Sequence, residues 1–236
     1  MEIGGLQKTT LIDYPGRVAC TVFLVKCNFK CPFCYSSELV LKEKIKQQPK
    51  IPEQDFFDFL KKRIGQLDGV VVCGGEPTVN PELPELCKKI KEMGFLVKLD
   101  TNGSNPEMLQ QLISDKLVDY VAMDIKASKE KYPEAIGHGR DFNDIVVNQV
   151  SKSVDILNKR EVDYEFRTTF APKILTKQDI LDIAKWISPA KRYYIQNFVP
   201  QKTLDPEFEH LKPHPDEEAL EIKEQISGLF DVCEIR

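Results

Sequence analysis

Long apolar runs are missing from this chain. None of its 236 residues belongs to a stretch of the ~18–20 apolar positions that a membrane-spanning helix needs. The opening MEIGGLQKTT lacks the apolar segment of a secretory signal, so the protein is expected in the cytoplasm. Positive charge is not in excess: 33 Lys and Arg against 37 Asp and Glu leave a net charge of −4, and nucleic acid is not an expected partner. Histidine is scarce, and His138, His210 and His214 show no metal-ligand spacing. No repeat, low-complexity tract or linker marks a second domain, and the most polar stretch, KEKIKQQPK (42–50), reads as a solvated loop or helix end. Seven cysteines are an odd number in a chain without signs of secretion, which argues against a disulfide framework. In a reducing compartment, clustered cysteines point to metal or catalysis, and scattered ones to core.

What is present is an alternation of short apolar strands with longer amphipathic segments. Strands are predicted at 18–25, 69–73, 95–100, 120–126, 163–170 and 192–198. Between them, helical spacing or helix-start signals mark 53–67, 81–94 (with Gly94 as its C′ residue), 106–116, 142–160 and 177–188. The tail from Asp216 predicts a last helix and a short strand. Strand–helix repetition implies parallel βα units with right-handed crossovers. Six such units are fewer than a full barrel has, so the expected fold is a single α/β domain. It is a partial (β/α)6 barrel of parallel strands with helices outside, with a lead-in (1–17), a core (18–198) and a C-terminal extension (199–236).

Parallel α/β sheets carry their chemistry at the C-terminal ends of the strands. The polar candidates fall there. A cysteine cluster follows the first strand, GGEPT (74–78) the second, and DTNG (100–103) ends the third; Asp124 and Lys126 end the fourth, Arg167 lies near the end of the fifth, and Gln196 and Asn197 near the end of the sixth.

CNFKCPFC places Cys27, Cys31 and Cys34 at C-x3-C-x2-C spacing. Thiolates suit zinc or iron–sulfur clusters, and this spacing lets one loop wrap a single inorganic centre. Structural zinc takes four protein ligands, and the nearest other cysteine, Cys20, is up to ~23 Å away along an extended strand. Three thiolates leave one position for a ligand; a zinc loop completed by a distant residue is the alternative. Cys20, Cys73, Cys87 and Cys233 read as small buried hydrophobes.

With Phe33 just before its third cysteine, this motif resembles the signature of the radical S-adenosylmethionine superfamily. TTLIDYPGRVACTVFLVKCNFKCPFCYSSELV, GGEPTV, DTNG, YVAMDIKA and YEFRTTFAP extend the resemblance over essentially the whole chain. They are similar to the activating proteins of anaerobic ribonucleoside-triphosphate reductase, with pyruvate formate-lyase activating enzymes as more distant relatives. The resemblance implies a radical oxidoreductase with one 4Fe–4S cluster on Cys27, Cys31 and Cys34, the unique iron chelated by the amino and carboxylate groups of S-adenosylmethionine. Reductive cleavage gives a 5′-deoxyadenosyl radical that takes hydrogen from a glycine of a glycyl radical enzyme, with a flavodoxin or ferredoxin as electron donor. Two alternatives remain: the same chemistry on a small molecule or RNA nucleotide, and a non-catalytic metal protein that only binds a partner. No run of extra cysteines provides for auxiliary clusters.

The resemblance also implies roles. Phe33 packs near the adenine or anchors the loop; Gly74 and Gly75 let backbone approach the methionine amino group; Glu76 holds the turn or assists there. Asp100, Thr101, Asp124 and Lys126 contact the methionine moiety and ribose and can hold a monovalent cation, with Lys126 facing the carboxylate and Asp124 the ribose hydroxyls. Arg167 either adds charge for the carboxylate or forms an interior ion pair. A ribose-contacting histidine of the pyruvate formate-lyase activating enzymes has Val199 in its place here, so that contact is either absent or replaced by Gln196. Asp13–Arg17 resembles a loop lining the partner channel. No catalytic side chain beyond the cluster is assigned.

Overall fold

The computed structural model describes residues 1–137 and 143–236. His138 and Phe142 lie outside the described residues. Strands β1 (Ile3–Thr10), β2 (Ala19–Leu24), β3 (Gly69–Gly74), β4 (Leu96–Thr101), β5 (Tyr120–Asp124), β6 (Asp163–Phe170), β7 (Ala190–Asn197) and β8 (Phe230–Ile235) hydrogen-bond in that order. β1 is antiparallel to β2, while the β2/β3, β3/β4, β6/β7 and β7/β8 ladders are parallel. The order ends on β1 and β8, so the sheet is open, as a partial barrel requires. The α/β class and the six predicted strands, now β2–β7, stand. The segment expected to be a lead-in (1–17) contains strand β1.

The chain packs as two compact units, Met1–Asn28, Ser36–Thr101 and Glu107–Val121 in one, Phe29–Tyr35, Asn102–Pro106 and Ala122–Arg236 in the other. In the first, Val70, Val71 and Val72 are all fully buried, so β3 is covered on both faces, as parallel strands usually are. Helices α1 (Ser37–Val40), α2 (Lys42–Gln47), α3 (Glu53–Lys61) and α4 (Leu83–Glu92) follow β2 and β3. On α4, Leu83, Leu86, Cys87 and Ile90 recur at helical spacing and are buried, and Gly94 stops the helix in a left-handed conformation, φ +89°. Helix α5 (Pro106–Ser114) leads to β5, where Tyr120 packs with Tyr14, Ala19 and Val71.

The second unit carries α6 (Tyr132–Ala135), α7 (Asn143–Asn158), α8 (Lys177–Ile187) and α9 (Asp216–Ile226). Helix α8 opens with a capping box between Thr176 and Asp179. Asp179 also accepts from Lys131 at 2.7 Å and Ser128 at 3.0 Å. Burial alone would raise this carboxyl, but the Lys131 and Thr176 hydrogen bonds more than offset it, so its pKa lies below the ordinary carboxylate value. Asp179→Asn is expected to cost about 1–3 kcal/mol, some 2–4 °C in Tm for each kcal/mol. Because the folded pKa is depressed, the carboxylate stabilises the fold above the unfolded pKa of about 4. The wild type's advantage therefore shrinks as pH falls below that, which thermal melts of both proteins across pH 3–7 check.

No helix of the described residues is long and apolar enough to cross a membrane.

Candidate functional site

In the first unit, β2 and β3 run in register to Leu24 and Gly74. Beyond them the chain stays stitched: the Gly75 N–H donates to the Leu24 carbonyl at 2.9 Å and the Glu76 N–H to the Lys26 carbonyl at 2.8 Å. Lys26 adopts φ +78° and hands the chain to Cys27. Gly74 has φ +130°, and a Cβ there would overlap the Leu24 carbonyl; a Cβ on Gly75 would lie 2.6 Å from the Lys26 carbonyl carbon. Both glycines thus serve an approach of the chain to its own backbone at the entry to the cysteine loop. Glu76 is buried, and its Oε1 accepts from the Thr78 N–H (3.1 Å), the Thr78 hydroxyl (2.5 Å) and the Thr101 hydroxyl (2.7 Å). It holds the turn and ties β3 to the end of β4.

Asp100 forms an ion pair with Lys98, two residues earlier on the same face of β4. Lys98 is buried, with its ammonium 5.9 Å from the centre of the Tyr120 ring. Lys98 was not singled out from the sequence, although a lysine inside the apolar run FLVKLD was the available signal.

The loop Asp13–Arg17 lies elsewhere. Thr10 pairs with Ala19, the first residue of β2, so the loop sits at the opposite end of that strand from Cys27. Asp13 accepts from the Thr21 hydroxyl at 2.8 Å, and Tyr14 packs against Ala19 and Val71. Preceding a strand in sequence puts a loop at that strand's N-terminal end.

In the second unit, Cys31 is buried and Cys34 partly so. The Cys34 N–H donates to the Cys31 carbonyl at 3.0 Å, and the loop is clamped by N–H groups of Leu204 and Asp205 on the carbonyls of Cys34 (2.8 Å) and Pro32 (2.9 Å). Phe33 is buried 6.4 Å from the Phe208 ring, which in turn contacts Phe198. Tyr35 stacks on Phe198, and its hydroxyl accepts from the Val199 N–H at 2.8 Å. Together with Phe198 at the end of the expected core, residues 199–208, expected only as an extension, are part of the scaffold of the cysteine loop.

Asp124 and Lys126, around the end of β5, meet Arg167 from β6. Lys126 Nζ lies 2.8 Å from Asp124 Oδ2, and Arg167 Nε 2.9 Å from Asp124 Oδ1. Burial would raise the Asp124 carboxyl, but Arg167 and Lys126 hold it well below the usual range; burial would lower Lys126, but the Asp124 carboxylate raises it. Burial pushes Cys31 itself up to about 12, opposed by the Lys126 charge. A buried thiol beside a fixed cation suits a metal ligand, because binding metal removes its proton and the ammonium favours the thiolate. Among the described residues, no three His, Cys, Asp or Glu side chains converge on one ion. The donor chemistry of Cys31 and Cys34 is that of soft thiolate ligands, which suits an iron–sulfur cluster.

Gln196 is partly buried near the end of β7, paired in register with Thr169, and Asn197 donates to Asp216 at 3.3 Å. His214 stacks 3.7 Å from Phe170, with Nδ1 3.0 Å from Glu218. Cys20, Cys87 and Cys233 are buried as expected, whereas Cys73, at the end of β3, is only partly covered.

Residues 21–187 match the Radical SAM superfamily. A Methanocaldococcus jannaschii protein named, provisionally, as a glycyl-radical enzyme activating enzyme is 39% identical over 221 residues, covering 92% of this chain and 88% of its own. A second protein of that organism with the same provisional name is 30% identical over 71% of this chain. Among solved structures, Streptococcus suis SuiB bound to S-adenosylmethionine superposes with a TM-score of 0.66 at 15% identity over 89% of this chain, which spans about half (48%) of SuiB. That likeness is one of fold. The superfamily implies a 4Fe–4S cluster and S-adenosylmethionine, and with cysteine loop, ion triad and full-length kinship agreeing, this chain is a radical SAM enzyme of the glycyl-radical enzyme activating family.

Proposed function

We propose that the whole chain acts as one radical SAM domain that installs a glycyl radical on a partner enzyme, anaerobic ribonucleotide reductase being the expected one. The ion triad beside Cys31 carries this reading. In it, Cys27, Cys31 and Cys34 would hold the cluster, which would supply the electron for cleavage of the sulfonium bond of S-adenosylmethionine.

The chain's own residues orient and desolvate. Lys126 presents a fixed ammonium to the methionine carboxylate, and Asp124, already held by two cations, keeps that ammonium in place and faces the ribose. Arg167 serves the triad as an ion-pair partner. Gly74 and Gly75 offer backbone to the amino group, and Glu76 and Thr101 brace that turn. Phe33 anchors the loop and flanks the adenine. Gln196 supplies a polar contact to the ribose. The cation that kinship suggests at Asp100 has a counterpart in the Lys98 ammonium. A flavodoxin or ferredoxin delivers the electron.

The test is electron paramagnetic resonance on the reconstituted, reduced protein mixed anaerobically with S-adenosylmethionine and an anaerobic ribonucleotide reductase. A glycyl doublet whose hydrogen comes off one glycine is expected. Cleavage of S-adenosylmethionine without any protein radical would remove the activase reading and leave the radical chemistry.

A further inference from the structure

The polar stretch 42–50 takes no part in holding the cluster or its ligand. It forms helix α2 and the three residues after it, in the first unit. Ile45 is the buried side chain of α2 and packs with Val25 and Leu39. The Lys26 N–H donates to the Leu39 carbonyl at 2.8 Å. Val25 stands two residues before Cys27, a span of about 7 Å at most. Helix α2 is thus fastened to the segment that carries the partly buried Cys27. Charge separates this face from its neighbours. On α3 and α4, Lys61, Lys89 and Lys91 each meet a carboxylate: Asp58 at 3.1 Å, Glu53 at 3.1 Å and Asp119 at 2.6 Å. Among the described residues, no ion pair involves Lys42, Lys44, Lys46 or Lys50. Lys44 donates to the Ser37 hydroxyl at 2.9 Å and Lys50 to the Ile45 carbonyl at 2.7 Å, both neutral acceptors. Lys42 and Lys46 are exposed. Glu38 and Glu43 are the carboxylates of the same segment, so residues 37–50 are net positive on a chain of net charge −4. Like charges gathered without counter-ions create a local field that draws an anionic partner.

We infer that the lysine face of α2 is the docking surface for the electron donor, a small acidic one-electron carrier protein that meets the chain beside Cys27. The inference rests on the reading that Cys27 helps to hold the cluster and that such a carrier reduces it. In the transfer the carrier loses one electron and the cluster gains it; no bond is made or broken and no proton moves. Electron-transfer encounters are among the smallest protein interfaces, and complementary charge gives them speed and orientation more than strength. One short helix bearing Lys42, Lys44 and Lys46, with Lys50 just beyond, is a footprint of that kind. A nucleic acid fits less well, because a long polyanion would run from this patch onto a surface that is acidic overall.

The experiment sets an acidic flavodoxin and an acidic ferredoxin against dithionite, a small reductant that needs no docking surface. On the reconstituted protein, dissociation constants of both carriers are measured by calorimetry at low and at physiological salt. Cluster reduction by each reductant is followed by stopped-flow absorbance. K42E/K46E, which reverses two exposed charges and should leave the fold intact, is expected to weaken binding of the cognate carrier roughly tenfold at low salt. The loss should shrink as salt rises, and reduction by that carrier should slow by a similar factor. Reduction by dithionite is expected within about twofold of wild type. K62E/K88E, the same reversal at exposed lysines outside α2, is expected to leave carrier binding and reduction within about twofold. Equal weakening by K62E/K88E would replace the site with the overall field of the protein and overturn the inference. So would unchanged carrier binding in K42E/K46E, failure of both carriers to bind wild type, or an RNA oligonucleotide that binds through Lys42 and Lys46 while neither carrier does. Dithionite tests the underlying reading separately. If it yields no reduced cluster and no cleavage of S-adenosylmethionine in wild type, the cluster reading has failed, and the inference falls with it.

Discussion

Cys31→Ala is expected to abolish cluster assembly and, with it, reductive cleavage of S-adenosylmethionine down to background. The thiol is buried, within electrostatic reach of the Lys126 ammonium, in a loop whose backbone is pinned by Leu204 and Asp205. The control is Cys20→Ala. Cys20 is fully buried within β2, with its thiol pushed up to about 12 by desolvation, which makes it an inert core group. Losing one buried sulfur there should cost on the order of 1–2 kcal/mol and leave cluster content unchanged. Iron, sulfide and zinc counted per chain after anaerobic reconstitution, together with 5′-deoxyadenosine production, decide the matter. Four irons with full cleavage in Cys31→Ala would refute the ligand assignment; one zinc and no iron in the wild type would replace the cluster with a zinc loop.

Six strands were legible because each is a short apolar run bounded by turn residues, and burial of β3 on both faces reflects its unbroken Val70–Val72. Strand β1 was not. IGGLQKTT has two glycines and no clean alternation, and it becomes a strand because β2 offers it an antiparallel edge. The same contrast governs the site. Cysteine spacing, the glycine pair and the D-x-K triplet are local patterns, visible in a few consecutive residues. Lys98 under Tyr120, Glu165 against Arg236 and the Phe198–Phe208 support of Phe33 are pairings across strands or distant segments, to which no local pattern points. The DYPGR loop is close to the cysteine loop in sequence, but one pass of β2 puts it at the other end of that strand.

Gly74→Ala carries the second large expectation, on stability and cluster content together. Two independent costs meet at that residue. A non-glycine side chain at φ +130° is strained by about 1–3 kcal/mol. The added methyl also falls on the Leu24 backbone, with the carbonyl carbon only 2.9 Å away, and a backbone obstacle cannot move aside as a flexible side chain would; that overpacking costs roughly another 1–3 kcal/mol. The sum, about 2–6 kcal/mol, corresponds to a fall in Tm on the order of 5–20 °C for a domain of this size. Gly94→Ala separates the two costs. Gly94 also has positive φ, +89°, but its Cβ would meet open space, so only the backbone strain applies and the loss should be about half as large or less. The functional consequence follows from the stitching. The Gly75 and Glu76 N–H groups bond the carbonyls of Leu24 and Lys26, so displacing Gly74 shifts the chain that delivers Cys27. Cluster content should therefore drop in Gly74→Ala and stay at the wild-type level in Gly94→Ala, even at temperatures where both variants remain folded. A Gly74→Ala protein with wild-type Tm and full iron content would mean that the β2–β3 end does not set the geometry of the cysteine loop.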